Sequence, residues 1–185
     1  MSGYKIRFIL YSTVETYREV ILPNYITFIQ LHGVIQRLFN FDDYHSWMFK
    51  IPVTSDDDDT INLANIRDII SGEDAEKMSI NQVLEDDDVL LYEYDFGDSW
   101  IIIVHKVENV EYEYKKAVIT DYKGKYSPMD DMGGIMVFEE LMEYADNRDE
   151  LLEAMEEYDL TKGDLTKMDF EKRHKIGTKF RIHNY

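Results

Sequence analysis

The chain has 185 residues, 44% hydrophobic and 14% aromatic, with no cysteine and a net charge of -18 from 38 acidic and 20 basic residues. This composition excludes an unfolded chain, disulfides, thiolate metal sites and a cysteine nucleophile, and its electrostatic field opposes non-specific binding to phosphate backbones. No apolar stretch reaches the roughly 18 residues that cross a bilayer, and "MSGYKIRFILYS" lacks the small-residue cleavage site of a signal peptide, so a cytoplasmic protein with no membrane partner is expected.

In chain order, "YKIRFILYST" alternates with Tyr4, Ile6, Phe8 and Leu10 on one face and predicts a first strand. "YREVILP" predicts a second, ended by Pro23, and the short link between them predicts a hairpin. "TFIQLHGVIQRLF" predicts a helix. Thr27 and Gln30 form a capping box at its start, and Phe28, Leu31, Ile35 and Leu38 form its apolar stripe. "HSWMFKIPV" predicts a third strand before the acidic run Asp56 to Asp59, and the segment from there to Leu84 predicts one or two short helices. Val89 to Tyr94 and Trp100 to Lys106 predict strands joined across a Phe96-Gly97-Asp98-Ser99 turn, and "KKAVITDY" predicts another strand. After "GKYSPMDDMGG" the pattern turns helical. Phe138, Leu141, Met142 and Ala145 share a stripe, Asn147 with Glu150 predicts a second capping box, and a last helix is expected over Leu165 to Lys172.

The expected class is α+β: a single domain over residues 1–185, with residues 135–185 as its helical C-terminal part. The sheet is expected to be mixed and mostly antiparallel. The order strand, strand, helix, strand, strand suggests a β-grasp-like N-terminal half, in which the first strand lies parallel to the one at Val89, in the middle of the sheet.

Three segments in order carry a family resemblance: "REVILPNYITFIQLHGVIQRLFNFDDYHSWMFKI", "YEYDFGDSW" and "SPMDDMGG". With them the chain resembles the plasmid pRiA4b ORF-3-like family over most of its length, from about Ile6 to beyond Tyr144. That family also gathers proteins with resolvase-type labels. The resemblance implies a fold and no established activity. The chain departs from the family pattern where Trp47 and Ile102 replace histidines and Met129 replaces a proline, which counts against a histidine-rich metal centre.

The segment "DFGD" offers two acids at a strand end. Its structural reading is a turn in which Gly97 takes a positive φ, Asp98 and Ser99 bond back to turn amides, and Trp100 anchors the next strand. Asp95 at a strand end needs an arginine, a histidine or a cation as partner. "MDDMGG" poses the same choice: Asp130 and Asp131 either cap the following helix or join Asp95, Asp98 and His45 around a divalent cation. His32, beside the helix stripe, is expected to be a hydrogen-bonded semi-core residue, and His45 in its turn is freer to bind. The candidate ligand-binding set is therefore Asp95, Asp98, Trp100, Asp130, Asp131 and His45. If any metal is bound, its candidate ligands are Asp95, Asp98, Asp131 and His45. An EF-hand starting at Asp56 fails, because Ile61 and Arg67 occupy the positions of the obligatory glycine and bidentate acid.

Two classes of function compete on these residues. The first is a non-catalytic binding domain that presents a groove or edge to a protein or peptide, with no cofactor. The second is a divalent-metal-dependent, hydrolase-like enzyme using the DFGD and DDMGG acids. A DNA-associated role is opposed by the net charge. The basic residues Lys167, Lys172, Arg173, Lys175, Lys179 and Arg181 near the C-terminus are expected to be a solvated counterweight to the acidic body.

Overall fold

The computed structural model describes residues 2–53, 65–85 and 88–183. The acidic run at residues 56–59 lies outside them. Its strands are β1 (Ser2–Leu10), β2 (Tyr17–Pro23), β3 (Trp47–Pro52), β4 (Ile66–Ile70), β5 (Val89–Tyr94), β6 (Trp100–Glu111), β7 (Lys116–Lys123) and β8 (Lys179–Arg181). Its helices are α1 (Phe28–Phe39), α2 (Gly72–Lys77), α3 (Asn81–Leu84), α4 (Gly134–Met142), α5 (Arg148–Glu156), α6 (Lys162–Met168) and α7 (Phe170–Arg173). The strands form one sheet in the order β4-β3-β5-β6-β1-β2-β7-β8, and every pairing among the described residues is antiparallel. The class is α+β.

The period-two pattern of β1 does what the sequence predicts. Tyr4, Ile6, Phe8 and Leu10 are at most 2% exposed, and they join the α1 stripe and residues of α4, α5 and α6 in one core. Each fully buried side chain of this size contributes about 1.5–3 kcal/mol. The capping box at α1 is present: the Thr27 amide donates to Gln30 Oε1 at 3.0 Å. Asn147 caps α5, accepting from the amides of Asp149 and Glu150, while its own side-chain amide donates to Glu150. The opposite face of the sheet carries a polar cross-strand network. Glu19 accepts from Arg7 at 2.7 Å and from Thr120 at 3.0 Å, and Arg7 lies over the Tyr17 ring.

Several expectations are corrected. Among the described residues the sheet is wholly antiparallel and not mixed. β1 does sit in its middle and runs in the same direction as β5, but β6 lies between them, hydrogen-bonded to both, so the β-grasp adjacency of these two strands is absent. Residues Ile66–Ile70 form an edge strand, where only short helices were expected, and α2 and α3 follow it. The last helix is two helices, because Asp169 leaves the helical conformation and caps α7 through the Lys172 amide. The C-terminal part is also not purely helical: β8 returns to pair with β7.

Two buried basic groups lie where the C-terminal helices meet the sheet. Arg18, on the inward face of β2, is wholly buried. Its guanidinium donates to the carbonyls of Tyr17, Lys123 and Tyr126 and to Ser127 Oγ, and it stacks on Phe170 at 3.9 Å. Burial pushes its pKa down to about 9. His174, 8% exposed, packs between Phe170 and Phe180. Burial first, and then Arg37, Arg173 and Arg18, lower its pKa to about 4.

An unfolded histidine titrates near 6.5, so between that pH and about 4 the unfolded chain holds a proton that the folded chain refuses. The contribution of the neutral ring is complete above pH 6.5 and is lost as the pH falls toward 4. His174→Phe should therefore flatten the acid limb of the stability profile by about 1–3 kcal/mol between pH 7 and pH 4.5, measured by urea unfolding. Parallel profiles for the two proteins would refute this.

Candidate cation site

Three loops meet at the end of the sheet where β3, β5 and β6 pair. The register Trp47↔Tyr94 sets the residues before β3 beside those after β5, and the Asp95 amide donates to the Ser46 carbonyl at 3.0 Å. The residue 40–46 loop begins with Asn40 in the left-handed conformation (φ 65) and turns again at Asp43 (φ 60). Its backbone is pinned by side chains from other elements. The Asp42 amide donates to Asp130 Oδ2 at 2.7 Å, the Asp43 amide to Gln36 Oε1 at 3.0 Å, and the Tyr44 amide to the Tyr94 hydroxyl at 3.2 Å. These bonds hold His45 with its ring edge-on to Tyr94, 5.7 Å between centroids.

His45 Nε2 lies 3.7 Å from Asp95 Oδ2 and 3.7 Å from Asp131 Oδ1. The candidate ligand atoms of the three residues all fall within 4.8 Å of one another. These separations are too long for hydrogen bonds, and the solvent-screened Nε2 has no hydrogen-bond partner among the described residues. Two ligands bound to one ion at about 2.0–2.2 Å sit roughly 3–4 Å apart. The cluster needs only small rotations to reach that spacing, and Asp131, 83% exposed at its side chain, is free to make them. The donor set, one imidazole and two carboxylates, suits zinc or manganese. Three ligands from the chain would leave positions open to solvent.

The backbone at both acids is unusual. Asp95 has φ 54 and Asp131 has φ 58, in the left-handed region that aspartate tolerates through local hydrogen bonding. The positive φ expected at Gly97 falls instead on Asp95 and Ser99; Gly97 serves the turn by donating its amide to Asp95 Oδ1 at 3.0 Å. Backbone strain of this kind gathers where a site over-determines the chain.

The remaining predicted residues divide. Asp98, expected among the metal ligands, lies beside the cluster and is not one of its three donors: its carboxyl is pushed up by burial and then by Asp95 and Asp131, and held down by a hydrogen bond from the Gly134 amide. Asp98, and not Asp130 or Asp131, thus supports the start of α4, whose N-cap Gly133 offers no side chain. Gly134 is called for here by its backbone, at φ 79, and not by space, since a Cβ there would meet Asp98 Oδ1 at an ordinary contact distance of 3.5 Å. Asp130 is 9% exposed and turns inward, accepting from Asp42 and from the Tyr94 hydroxyl at 3.1 Å; burial raises its carboxyl. It positions the His45 loop and is not in the His45–Asp95–Asp131 group. Trp100 is wholly buried against Phe41 and offers nothing to a ligand. It belongs to the core because β6 points it to the same face as Ile102 and Val104.

His32 is the hydrogen-bonded core residue expected. Its Nδ1 meets the Tyr92 hydroxyl and its Nε2 meets Asp43, each at 2.7 Å, with Trp47 stacked on the ring at 4.1 Å. Tyr94, whose hydroxyl joins the Tyr44 amide to Asp130, is a site residue outside the candidate set. Its place beside Tyr92 in the inward alternation of β5 was the available signal.

The model of the family described as plasmid pRiA4b ORF-3-like protein matches residues 4–172. The chain belongs to this family. Among solved structures, this pRiA4b ORF-3-like chain is similar to the crystal structure of a protein of unknown function, MM3350 from Methanosarcina mazei Go1. The identity is 24% and the TM-score 0.64, over 83% of this chain and 86% of that one. That likeness shows the fold. No curated protein matches the chain. Among the described residues, no helix of this family member is long and apolar enough to cross a membrane.

Proposed function

We propose that this pRiA4b ORF-3-like protein is a divalent-cation-binding domain whose ion, held by His45, Asp95 and Asp131, presents open coordination positions to a ligand from solvent. The carrying observation is the convergence of these three donors within 4.8 Å around an imidazole nitrogen that is screened from solvent and has no hydrogen-bond partner among the described residues. Among the described residues this is also the one group of three such donors at metal-binding spacing. In this reading the primary role is binding: the ion anchors an oxygen-bearing ligand, and the rigid sheet end holds the three loops in place. Such donors are compatible with the cytoplasmic location expected of a cysteine-free chain.

A second reading, a metal-dependent hydrolase, is favoured by Asp98. Its carboxyl stands beside the cluster, placed to take a proton from a water that a bound ion would activate. A test on a generic phosphodiester or ester with and without the cation separates the two: turnover lost in Asp98→Asn supports the hydrolase.

Calorimetric titration of chelator-treated protein tests the parent reading. One equivalent of zinc or manganese should bind, and saturation at about 100 times Kd should add about 2.7 kcal/mol of stability. Heat no greater than dilution, with an unchanged melting temperature, would remove both readings.

A further inference from the structure

The basic residues near the C-terminus do not form one patch. Lys167 and Lys172 pair with Asp164 and Asp169 at 3.8 Å, and the Arg173 guanidinium donates to the Lys167 carbonyl and to Asn40. Lys179 and Arg181 go elsewhere. They sit on β8 at the end of the sheet order and, with Lys115 and Lys116, line a groove of about 430 Å³ completed by Tyr114 and Ile182. A volume of this size is within the ordinary range for ligand clefts.

The groove stands out in a chain of net charge -18. Lys5, Lys50, Lys106 and Lys123 each lie on a carboxylate. Lys115, Lys116, Lys179 and Arg181, all exposed, make no ion pair among the described residues. With acidic side chains nearly twice as numerous as basic ones, four unpaired cations around one groove point to an anionic occupant from outside.

Three features select its class. First, β8 pairs with β7 alone, so among the described residues its other edge has no strand partner. Second, Arg181 opposes Lys116 and Lys179 opposes Val118 in the register, while Phe180 between them is buried; the exposed charges of β8 therefore recur at the two-residue spacing of an extended chain. Third, the aromatic group is already engaged. The Lys179 ammonium lies over the Tyr114 ring at 4.7 Å, and Tyr112 meets that ring edge-on at 5.5 Å. A nucleic-acid base would have to displace that cation to stack.

We propose that this groove is a docking site for an extended acidic peptide segment, which adds to the free edge of β8 and places alternate carboxylates against Lys179, Arg181 and the Lys115–Lys116 pair. Backbone pairing supplies affinity, and the charged register supplies selectivity. The site is separate from the His45 cluster and does not depend on a cation there.

The experiment is fluorescence anisotropy with a short labelled peptide of alternating glutamate and valine. Its glutamine counterpart, its backbone N-methylated form and a short oligouridylate RNA serve as competitors. The glutamate peptide should bind, weaken with added salt, and lose roughly tenfold or more in affinity to the doubly charge-reversed protein Lys179→Glu/Arg181→Glu. The glutamine and N-methylated forms should compete poorly. A melting temperature within a few degrees of the parent, and unchanged zinc titration, would show that the variant is folded. The proposal is overturned if the glutamate peptide does not bind, if charge reversal leaves its affinity unchanged, if the N-methylated form binds as well, or if the RNA binds more tightly.

Discussion

Asp95→Asn should lower the affinity for zinc or manganese by roughly 100-fold or more, since losing a direct ligand costs at least as much as losing an outer-shell partner, while the cation-free protein keeps its fold. The substitution is chosen for its physics. Asparagine tolerates the left-handed backbone that Asp95 adopts, and its side-chain oxygen can still accept from the Gly97 amide, so the turn survives. What is lost is the anionic oxygen 3.7 Å from His45 Nε2. His45→Gln should weaken binding at least as much, since it removes the imidazole donor. Asp131→Asn should weaken it with the least structural effect, because that side chain is 83% exposed. If the three residues are only an electrostatic network, the same variants will alter stability slightly and bind cations as the parent does. Titration calorimetry on the parent and the three variants reads the difference directly.

Arg18→Met should destabilise the fold by about 3–5 kcal/mol, measured by urea unfolding at pH 7. Two effects oppose each other. Removing a wholly buried guanidinium, which has no ion pair to a carboxylate among the described residues and whose pKa burial pushes to about 9, relieves a desolvation cost. It also strips the donors from the carbonyls of Lys123 and Tyr126 and from Ser127 Oγ. The two buried acceptors left orphaned, the Tyr126 carbonyl and Ser127 Oγ, cost about 1–3 kcal/mol each, and methionine cannot restore either. The second effect wins because one planar guanidinium serves several acceptors from two chain segments, tying β2 to the loop before α4. A loss below about 1 kcal/mol would mean that the desolvation cost had been the larger quantity.

Much of the fold could be read from the chain because local and global signals agree there. In β1, alternation alone selects the buried face, and in α1 the capping box and stripe mark the same boundaries. Where local signals are weak, the sequence misleads. β4 spells Ile-Arg-Asp-Ile-Ile, with an intermediate and three exposed positions before Ile70, so its strand character comes from pairing with β3. β8 is three residues long inside a basic tail, and only its register with β7 makes it a strand. The separation of β1 from β5 depends on where the long β6 hairpin returns, which element order does not specify.

The candidate site divides in the same way. His45, Asp95 and Asp131 were each visible as acids or imidazole in turn-forming segments, but their meeting rests on the Trp47↔Tyr94 register and on Tyr94 and Asp130 clamping the His45 loop. Trp100 looked like a site residue because it follows the acidic turn, and strand alternation sends it to the core. The left-handed backbone at Asp95 also ran against the simple rule that glycine takes the difficult conformation. The acid holds that conformation while its carboxylate accepts from the Gly97 amide.

The most direct measurement is anomalous X-ray diffraction from crystals grown with zinc or manganese, collected on both sides of the metal's absorption edge. One strong peak should appear about 2.0–2.3 Å from His45 Nε2 and from carboxylate oxygens of both Asp95 and Asp131. A map without a peak there at a saturating concentration, or with the metal bound only elsewhere on the acidic surface, would contradict the account.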